Sequence, residues 1–285
     1  MTMPPARADQ TSAVQIQAER ARVFRALHEG PAPLLLPNPW DVGSARLLAS
    51  LGFAALATTS GGFAATLGRL DGAVTRDEAL GHAAAIAAAA TVPVSADLEN
   101  GFADEPAGVA ETIGLAAAAG LAGCSVEDFT RRPGDPIYDL GLARERVAAA
   151  VAAAKAAPGP LVLTARAENY LHGRPDLADT IRRLQAYQDA GADVLYAPGL
   201  TSLADIRAVV TSVDRPVNVL TLADAPSVPQ LAAAGVRRIS VGSAFANAAL
   251  GALVSAAREL REQGTYSFLG QAAIGRAATS AAFRP

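Results

Sequence analysis

One arrangement recurs four times and constrains the fold more than any other feature. A helical stretch runs out in alanines or other small residues, a glycine follows, and an apolar run begins within a few residues. The segments LASLGFAAL, AAAAGLAGCSV, YQDAGADVLY and LAAAGVRRISV place these glycines at Gly52, Gly120, Gly191 and Gly235. Each stands where a helix C-terminus calls for a left-handed residue before the chain turns back into a strand. Pro93, Pro160 and Pro216 mark other strand entries. Eight short apolar runs suit buried parallel strands: 33–37, 54–60, 92–97, 122–128, 161–166, 193–197, 216–221 and 237–242. Segments rich in Ala, Leu, Arg and Glu separate them, as at 75–90, 142–157 and 176–190. Further helices are expected at 10–29, at 244–262 and in the tail from 271.

Strands alternating with helices at this density predict an α/β fold of the (β/α)8 TIM-barrel type. The rival is a doubly wound open sheet, which has fewer strands and an early Gly-rich phosphate loop. No GxGxxG follows the first run here. No low-complexity linker interrupts the chain, so a single domain over 1–285 is expected, with a barrel core at 30–245 and C-terminal helices at 244–285.

Composition excludes several classes. The formal net charge of −3 and the lack of a basic stripe give no reason to invoke nucleic acid. The N-terminus has no apolar h-region, and the alanine-rich stretches are too short and interrupted to span a bilayer. One cysteine, Cys124, rules out an internal disulfide and a cysteine-built zinc site. A cytoplasmic protein is expected. The sole lysine, Lys155, lies inside a predicted helix running toward the barrel bottom, so a Schiff-base mechanism on a strand lysine is not expected. His28 and His82 fall in predicted helices and read as packing or surface residues. His172 follows the fifth strand and reads as a rim residue.

In such a barrel the chemistry sits at the C-terminal ends of the strands. The third run ends in Asp97 and Glu99, the fourth in Glu127 and Asp128, and the fifth in Arg166 and Glu168. The first ends at Asn38, and the seventh carries Asn218 and Thr221. The sixth ends in Ala197-Pro198-Gly199 with nothing charged. Asp97, Glu99 and Glu127 should converge at the barrel mouth, with Asp71 in a nearby loop. Carboxylates gathered in a partly dry cavity repel one another unless protonated or neutralised by a cation. Oxygen ligands without cysteine or paired histidine suit Mg²⁺ or Mn²⁺ held mostly through water. The plain alternative is that these acids cap the following helices or pair with arginines. Arg166 offers a planar fork to a substrate carboxylate, or forms a salt bridge to Glu168 or Glu127. Ser60-Gly61-Gly62 offers backbone N–H groups to an anion, or is only a tight turn.

At these residues the sequence resembles the isocitrate lyase/phosphoenolpyruvate mutase superfamily. The motifs are LPNPWDVGSARLL, TTSGG, ADLENG, SVEDF, ARAENY, GADVLYAP and PVNVL, in order over about residues 22–262. The resemblance implies a Mg²⁺-dependent enzyme (Mn²⁺ as the alternative ion) acting on a 2-oxo or 2-hydroxy carboxylate through an enolate. It implies that Asp97 holds the metal while Glu99 and Glu127 hold its waters. Ser60, Gly61 and Gly62 would bind the substrate carboxylate, Arg166 would clamp a carboxylate or enolate oxygen, and Asp71 and Asn218 would line the pocket. Arg166, Asp71 and Glu127 are thereby the catalytic candidates. It also implies a dimer or tetramer with an exchanged C-terminal helix.

Departures from the family pattern narrow the activity. The lyase branch carries a Lys-Lys-Cys-Gly-His-like loop after the acid pair. Here the loop is FTRRPGDPIYDLG at 129–141, with no cysteine, lysine or histidine. Gly199 replaces a glutamate after the sixth-strand proline, and Glu99 stands where aspartate is common. The expectation is therefore a carbon–carbon lyase on a small 2-oxo acid, with oxaloacetate decarboxylation the simplest case and Tyr138 a candidate proton donor. The alternatives are a phosphonopyruvate-type mutase or hydrolase acting on a P–C bond, and a keto-acid-binding protein without turnover.

Overall fold

A computed structural model of the chain describes residues 7–284. Its strands are β1 Leu34–Leu36, β2 Leu56–Ala57, β3 Val94–Asp97, β4 Gly123–Glu127, β5 Val162–Arg166, β6 Val194–Tyr196, β7 Val217–Leu220 and β8 Arg238–Ser240. All eight pair in parallel in the order β1-β8-β7-β6-β5-β4-β3-β2. A backbone bond from Ala57 N–H to Pro37 O at 3.1 Å joins the two ends, so the sheet curls into a nearly closed barrel. The predicted (β/α)8 architecture is what the chain forms, and each strand lies inside its predicted run.

The helices are α1 Arg7–Ala26, α2 Val42–Ser50, α3 Ser60–Thr66, α4 Arg76–Ala89, α5 Pro106–Ala118, α6 Leu140–Ala156, α7 Leu177–Asp189, α8 Leu203–Thr211, α9 Val228–Ala233, α10 Ala244–Gln263 and α11 Leu269–Ala282. No helix among the described residues is long and apolar enough to cross a membrane. α11 packs on α2 of the same chain.

Two layers of apolar packing hold the barrel. Outward-facing strand residues such as Leu56, Val126, Leu163, Leu195 and Ile239 pack against the helices through Ile86, Ile113 and Leu184. A smaller cluster of Phe24, Leu34, Leu36, Ala55, Val162 and Val194 fills the lower interior. α1 closes the bottom. Gln17 Nε2 donates to the carbonyls of Leu121 (2.9 Å) and Gly159 (2.8 Å), and Arg20 donates to those of Ala87 and Ala90. These groups precede β4, β5 and β3, so the opposite end, where the strands finish, is left open.

Two sequence expectations need correction. His28 lies two residues beyond α1 rather than inside a helix, buried under the barrel. Ser60-Gly61-Gly62 is not a free turn but the first turn of α3, because Thr59 caps it by accepting from Gly62 N–H.

Gly123 shows how the plug is fitted. A Cβ at this position would stand 2.7 Å from Val162 O and 2.8 Å from the Phe24 ring. Gly123→Ala is expected to lower the unfolding free energy by about 1–3 kcal/mol, as overpacked cores do. Urea denaturation would read the loss, and Phe24→Leu in the same chain should recover part of it. An unchanged midpoint would show that the Phe24 plug is not tight.

Candidate active site

The strands alternate in a particular sense. In β3 to β8 the outward residues are apolar, whereas the inward ones include Ser95, Asp97, Ser125, Glu127, Thr164, Arg166, Tyr196, Asn218, Arg238 and Ser240. The upper interior is therefore polar where barrels usually hold branched aliphatic side chains. It encloses a cavity of about 180 Å³, smaller than the roughly 300–1,000 Å³ of drug-sized sites and suited to a small acid. Ser60, Asp71, Asp97, Arg166 and Asn218 line it. Asp71 stands exposed at the rim.

Arg166 is the hub. Its Nη1 lies 2.9 Å from Asp97 Oδ1, its Nη2 3.0 Å from Glu127 Oε2 and its Nε 2.8 Å from Glu168 Oε1. Register makes this possible: β5 pairs Arg166 with Glu127 on β4, and β4 pairs Ser125 with Asp97 on β3. Burial opposes the charge on Arg166, but Glu168, Glu127 and Asp97 hold its pKa well above the ordinary arginine value. The Tyr196 ring also faces it, with the guanidinium carbon 5.2 Å from the ring centroid. The salt-bridge alternative for Arg166 is thus realised in the structure.

Glu99 and Glu127 flank this hub rather than lining the main cavity. Glu99 borders a small adjoining cavity that shares Asp97, Ser60 and Thr58 with the first. It pairs with Arg131 of the 129–141 loop. Burial, partly offset by Arg131, pushes its carboxyl up to about 7. Burial raises Glu127 as well, against the pull of Arg166. Four carboxylates, Asp97, Glu99, Glu127 and Glu168, here share two guanidinium groups. That surplus of negative oxygen suits a hard divalent cation. Among the described residues no three His, Cys, Asp or Glu side chains are grouped to grip a metal directly. The donor set fits an ion held by Asp97 on the cavity wall, with water linking it to the flanking acids.

Of the three backbone donors expected for a substrate anion, two have protein partners. Ser60 N–H donates to Asp97 Oδ2 at 3.3 Å, and Gly62 N–H to Thr59 Oγ1 at 3.3 Å. Gly61 N–H has no partner among the described residues, and a Cβ at Gly61 would meet Ser243 Oγ at 2.8 Å and Asp71 Oδ2 at 3.1 Å. Asn218 is buried and bridges Ser240 Oγ and Arg238 Nε, each at 2.9 Å.

Tyr138 is not placed to donate a proton to the cavity. It is buried beneath Arg146, 4.1 Å from the guanidinium carbon to the ring centroid, and its hydroxyl bonds Asp104. Burial and Asp104 push its pKa up to about 12. The cavity's phenol is Tyr196, likewise raised to about 12 by burial. Cys124 faces the helix layer, buried, with its thiol pushed up to about 12. His172 stacks on Phe129 of the 129–141 loop, ring centroids 3.6 Å apart.

Tyr196 and Arg238 escape a survey of strand-end residues because they lie inside the runs. For Arg238 the signal that would have found it is the polar-in, apolar-out alternation of RIS; for Tyr196 it is the one polar side chain of VLY, on the inward face at the strand's end.

The acids on and around the hub predict a pH dependence. Glu99 is near 7 in the folded chain and about 4.5 unfolded, so the folded state holds the extra proton. Its stabilising contribution is complete below the unfolded value and is lost as pH rises through about 7. Burial displaces Glu127, Asp128 and Glu168 in the same direction. In EDTA, the contribution of Glu99 alone should lower the unfolding free energy by about 2–3 kcal/mol between about pH 5 and pH 8, the other acids adding to the slope and Glu99→Gln flattening it. Chemical denaturation at several pH values checks this. A slope unchanged in Glu99→Gln would refute the assignment.

A sequence model of the phosphoenolpyruvate phosphomutase family matches residues 24–261. A crystal structure from Burkholderia cenocepacia J2315, described only as that of a lyase/mutase, superposes with a TM-score of 0.92 at 55% identity, covering 95% of this chain and 98% of that one. Among curated relatives, the oxaloacetate decarboxylase of Pseudomonas paraeruginosa is 31% identical over 253 residues, 85% of this chain and 86% of that protein. The 2-methylisocitrate lyase of Escherichia coli K12 is 31% identical over 204 residues, 69% of this chain and 68% of that protein.

Proposed function

Because the chain belongs to the isocitrate lyase/phosphoenolpyruvate mutase superfamily, we propose that it is a divalent-metal-dependent lyase. It would cleave a carbon–carbon bond of a small 2-oxo acid through an enolate, with oxaloacetate decarboxylation the simplest case. The observation that carries this reading is the lining of the cavity. It joins Asp97 and Arg166 to hydroxyl and amide groups and contains no cysteine, histidine or lysine.

That inventory selects among reactions. Cleaving a 2-hydroxy tricarboxylate requires a base for the hydroxyl and an acid for the departing carbanion. Loss of CO₂ from a 2-oxo diacid requires neither at the bond that breaks. It needs an electron sink at the carbonyl and one proton afterwards. Mg²⁺ or Mn²⁺, held by Asp97 and through water by Glu99 and Glu127, would supply the Lewis acid for the developing enolate oxygen. The chain's own groups do the rest. Gly61 N–H at the first turn of α3 is a fixed donor for the substrate carboxylate. Arg166 aims Asp97 at the cavity and keeps the acids around it from pushing one another apart. Tyr196, protonated at neutral pH and facing the cavity, is placed to return the proton. Asn218 and Asp71 shape the floor and the rim. The similarity to an oxaloacetate decarboxylase supports the same choice. The exposed apolar residues Leu253, Leu269 and Ile274 of α10 and α11 support subunit pairing through the C-terminal helices.

A second reading, P–C bond chemistry, is favoured by the description of the matching family. A turnover screen separates the two. Purified protein with Mg²⁺ would be offered oxaloacetate, 2-methylisocitrate, isocitrate, oxalomalate and phosphonopyruvate, following pyruvate, CO₂ and phosphate. Metal-dependent pyruvate release is expected, reduced at least about 100-fold in Asp97→Ala, as loss of a metal-site group reduces activity. Phosphate release would move the protein to the second reading. Oxalate binding without turnover of any substrate would leave a keto-acid-binding protein.

A further inference from the structure

Arg238 is a buried cation without an anion among the described residues. Its side chain enters the barrel from the first residue of β8, deeper than Asp97 at the end of β3, and the residue is only 4% exposed. Its guanidinium bonds only neutral groups among the described residues. Nε donates to Asn218 Oδ1 at 2.9 Å, and Nη1 donates to Thr164 Oγ1 at 3.0 Å and to His28 Nε2 at 3.4 Å. The histidine is arranged to receive that bond. Its Nδ1 lies 2.8 Å from the Phe24 carbonyl, which can only accept, so Nδ1 carries the proton and Nε2 the lone pair. Burial, and then the charge on Arg238, push His28 down to about 3, so it stays neutral beneath the arginine.

The other cation on the cavity is compensated by acids. Arg166 has Nε, Nη1 and Nη2 each on a protein carboxylate, whereas Arg238 has no acidic partner among the described residues. Its Nη2 has no hydrogen-bond partner among them, and the residue lines the cavity. Burying a cation without a counter-ion costs several kcal/mol, and an aliphatic side chain would fill the same interior position without that cost. Burial lowers Arg238 only to about 10, so the charge persists at neutral pH.

We propose that Arg238 anchors a second anionic group of the substrate, so that the cavity selects dianionic acids. The 2-oxo or 2-hydroxy carboxylate end stays at the mouth near Asp97 and Gly61, and the distal carboxylate reaches down to Arg238. This rests on reading the cavity as a 2-oxo acid site. It adds the residue that distinguishes a diacid from a monoacid, whereas the charge of Arg166 is already met by three protein carboxylates.

Malate and 2-hydroxybutyrate make the test. Both are stable four-carbon 2-hydroxy acids, and they differ in a carboxylate against a methyl group. Calorimetric titration of the full chain with Mg²⁺ should show malate bound at least about 10-fold more tightly. In Arg238→Gln, malate should weaken about 10–100-fold while 2-hydroxybutyrate changes less than about 3-fold. Arg238→Lys, which keeps a cation, should retain a reduced preference, and it decides the matter if the glutamine variant does not fold. Equal affinities in the unmodified protein, or equal weakening of both acids in the variants, would overturn the proposal. Silence in the turnover screen, with a malate preference that Arg238→Gln abolishes, would refute catalysis and leave this assignment standing. Turnover of a diacid with a preference untouched in Arg238→Gln would do the reverse.

Discussion

The guanidinium of Arg166 is the group on which the rest of the site depends. It ends β5 and reaches an acid on β4, an acid on β3 and one in its own following loop. A guanidinium presents its donors in a rigid planar fork, so three carboxylates can be placed in three fixed directions. An ammonium group would hold them only as a point charge. Like charges this close otherwise force protonation or separation. Burial raises both Glu99 and Glu127, and the neighbouring acids add to that rise against the pull of Arg131 and Arg166.

Behind the hub, the chain spends considerable structure on rigidity. Glu99 and Phe102 both adopt left-handed backbone conformations, at φ 48° and 56°, each at a cost of about 1–3 kcal/mol. The turn persists because Arg146, itself almost fully buried, donates to the carbonyls of Asn100, Ala103 and Asp104. Thr112 adds a bond to the Gly101 carbonyl at 2.8 Å. On the next strand end, Asp128 accepts from Glu168 N–H at 2.8 Å, Arg183 Nη1 at 3.1 Å and the Tyr187 hydroxyl at 2.5 Å. Asp128 is therefore a fastening between β4, β5 and α7, and the acid beside it, Glu127, is the one turned toward Arg166.

A polar barrel interior has a consequence for stability. The usual aliphatic filling is confined to the bottom, where Phe24 enters against Gly123. Most apolar burial lies outside the barrel, between strands and helices. The interior is thus free to carry Arg238, Asn218, Tyr196 and the serines without dismantling the fold.

The barrel itself was legible in the chain. Glycine after four of the helices, proline at strand entries and apolar runs at regular spacing are local signals, and local backbone preference is enough to read them. The strand-end acids and Arg166 were legible for the same reason, since parallel strands of similar length deliver their last residues to one rim. Sequence alone could not say whether Arg166 faced a substrate or its neighbours, because that depends on the register of β3, β4 and β5. Nor could it place Tyr138 under Arg146, turn Ser60 N–H to Asp97, or set His28 beneath Arg238. Those partners are separated by up to 210 positions. Only the closed barrel brings them within hydrogen-bonding distance, and a buried charge takes its character from whatever the fold puts next to it.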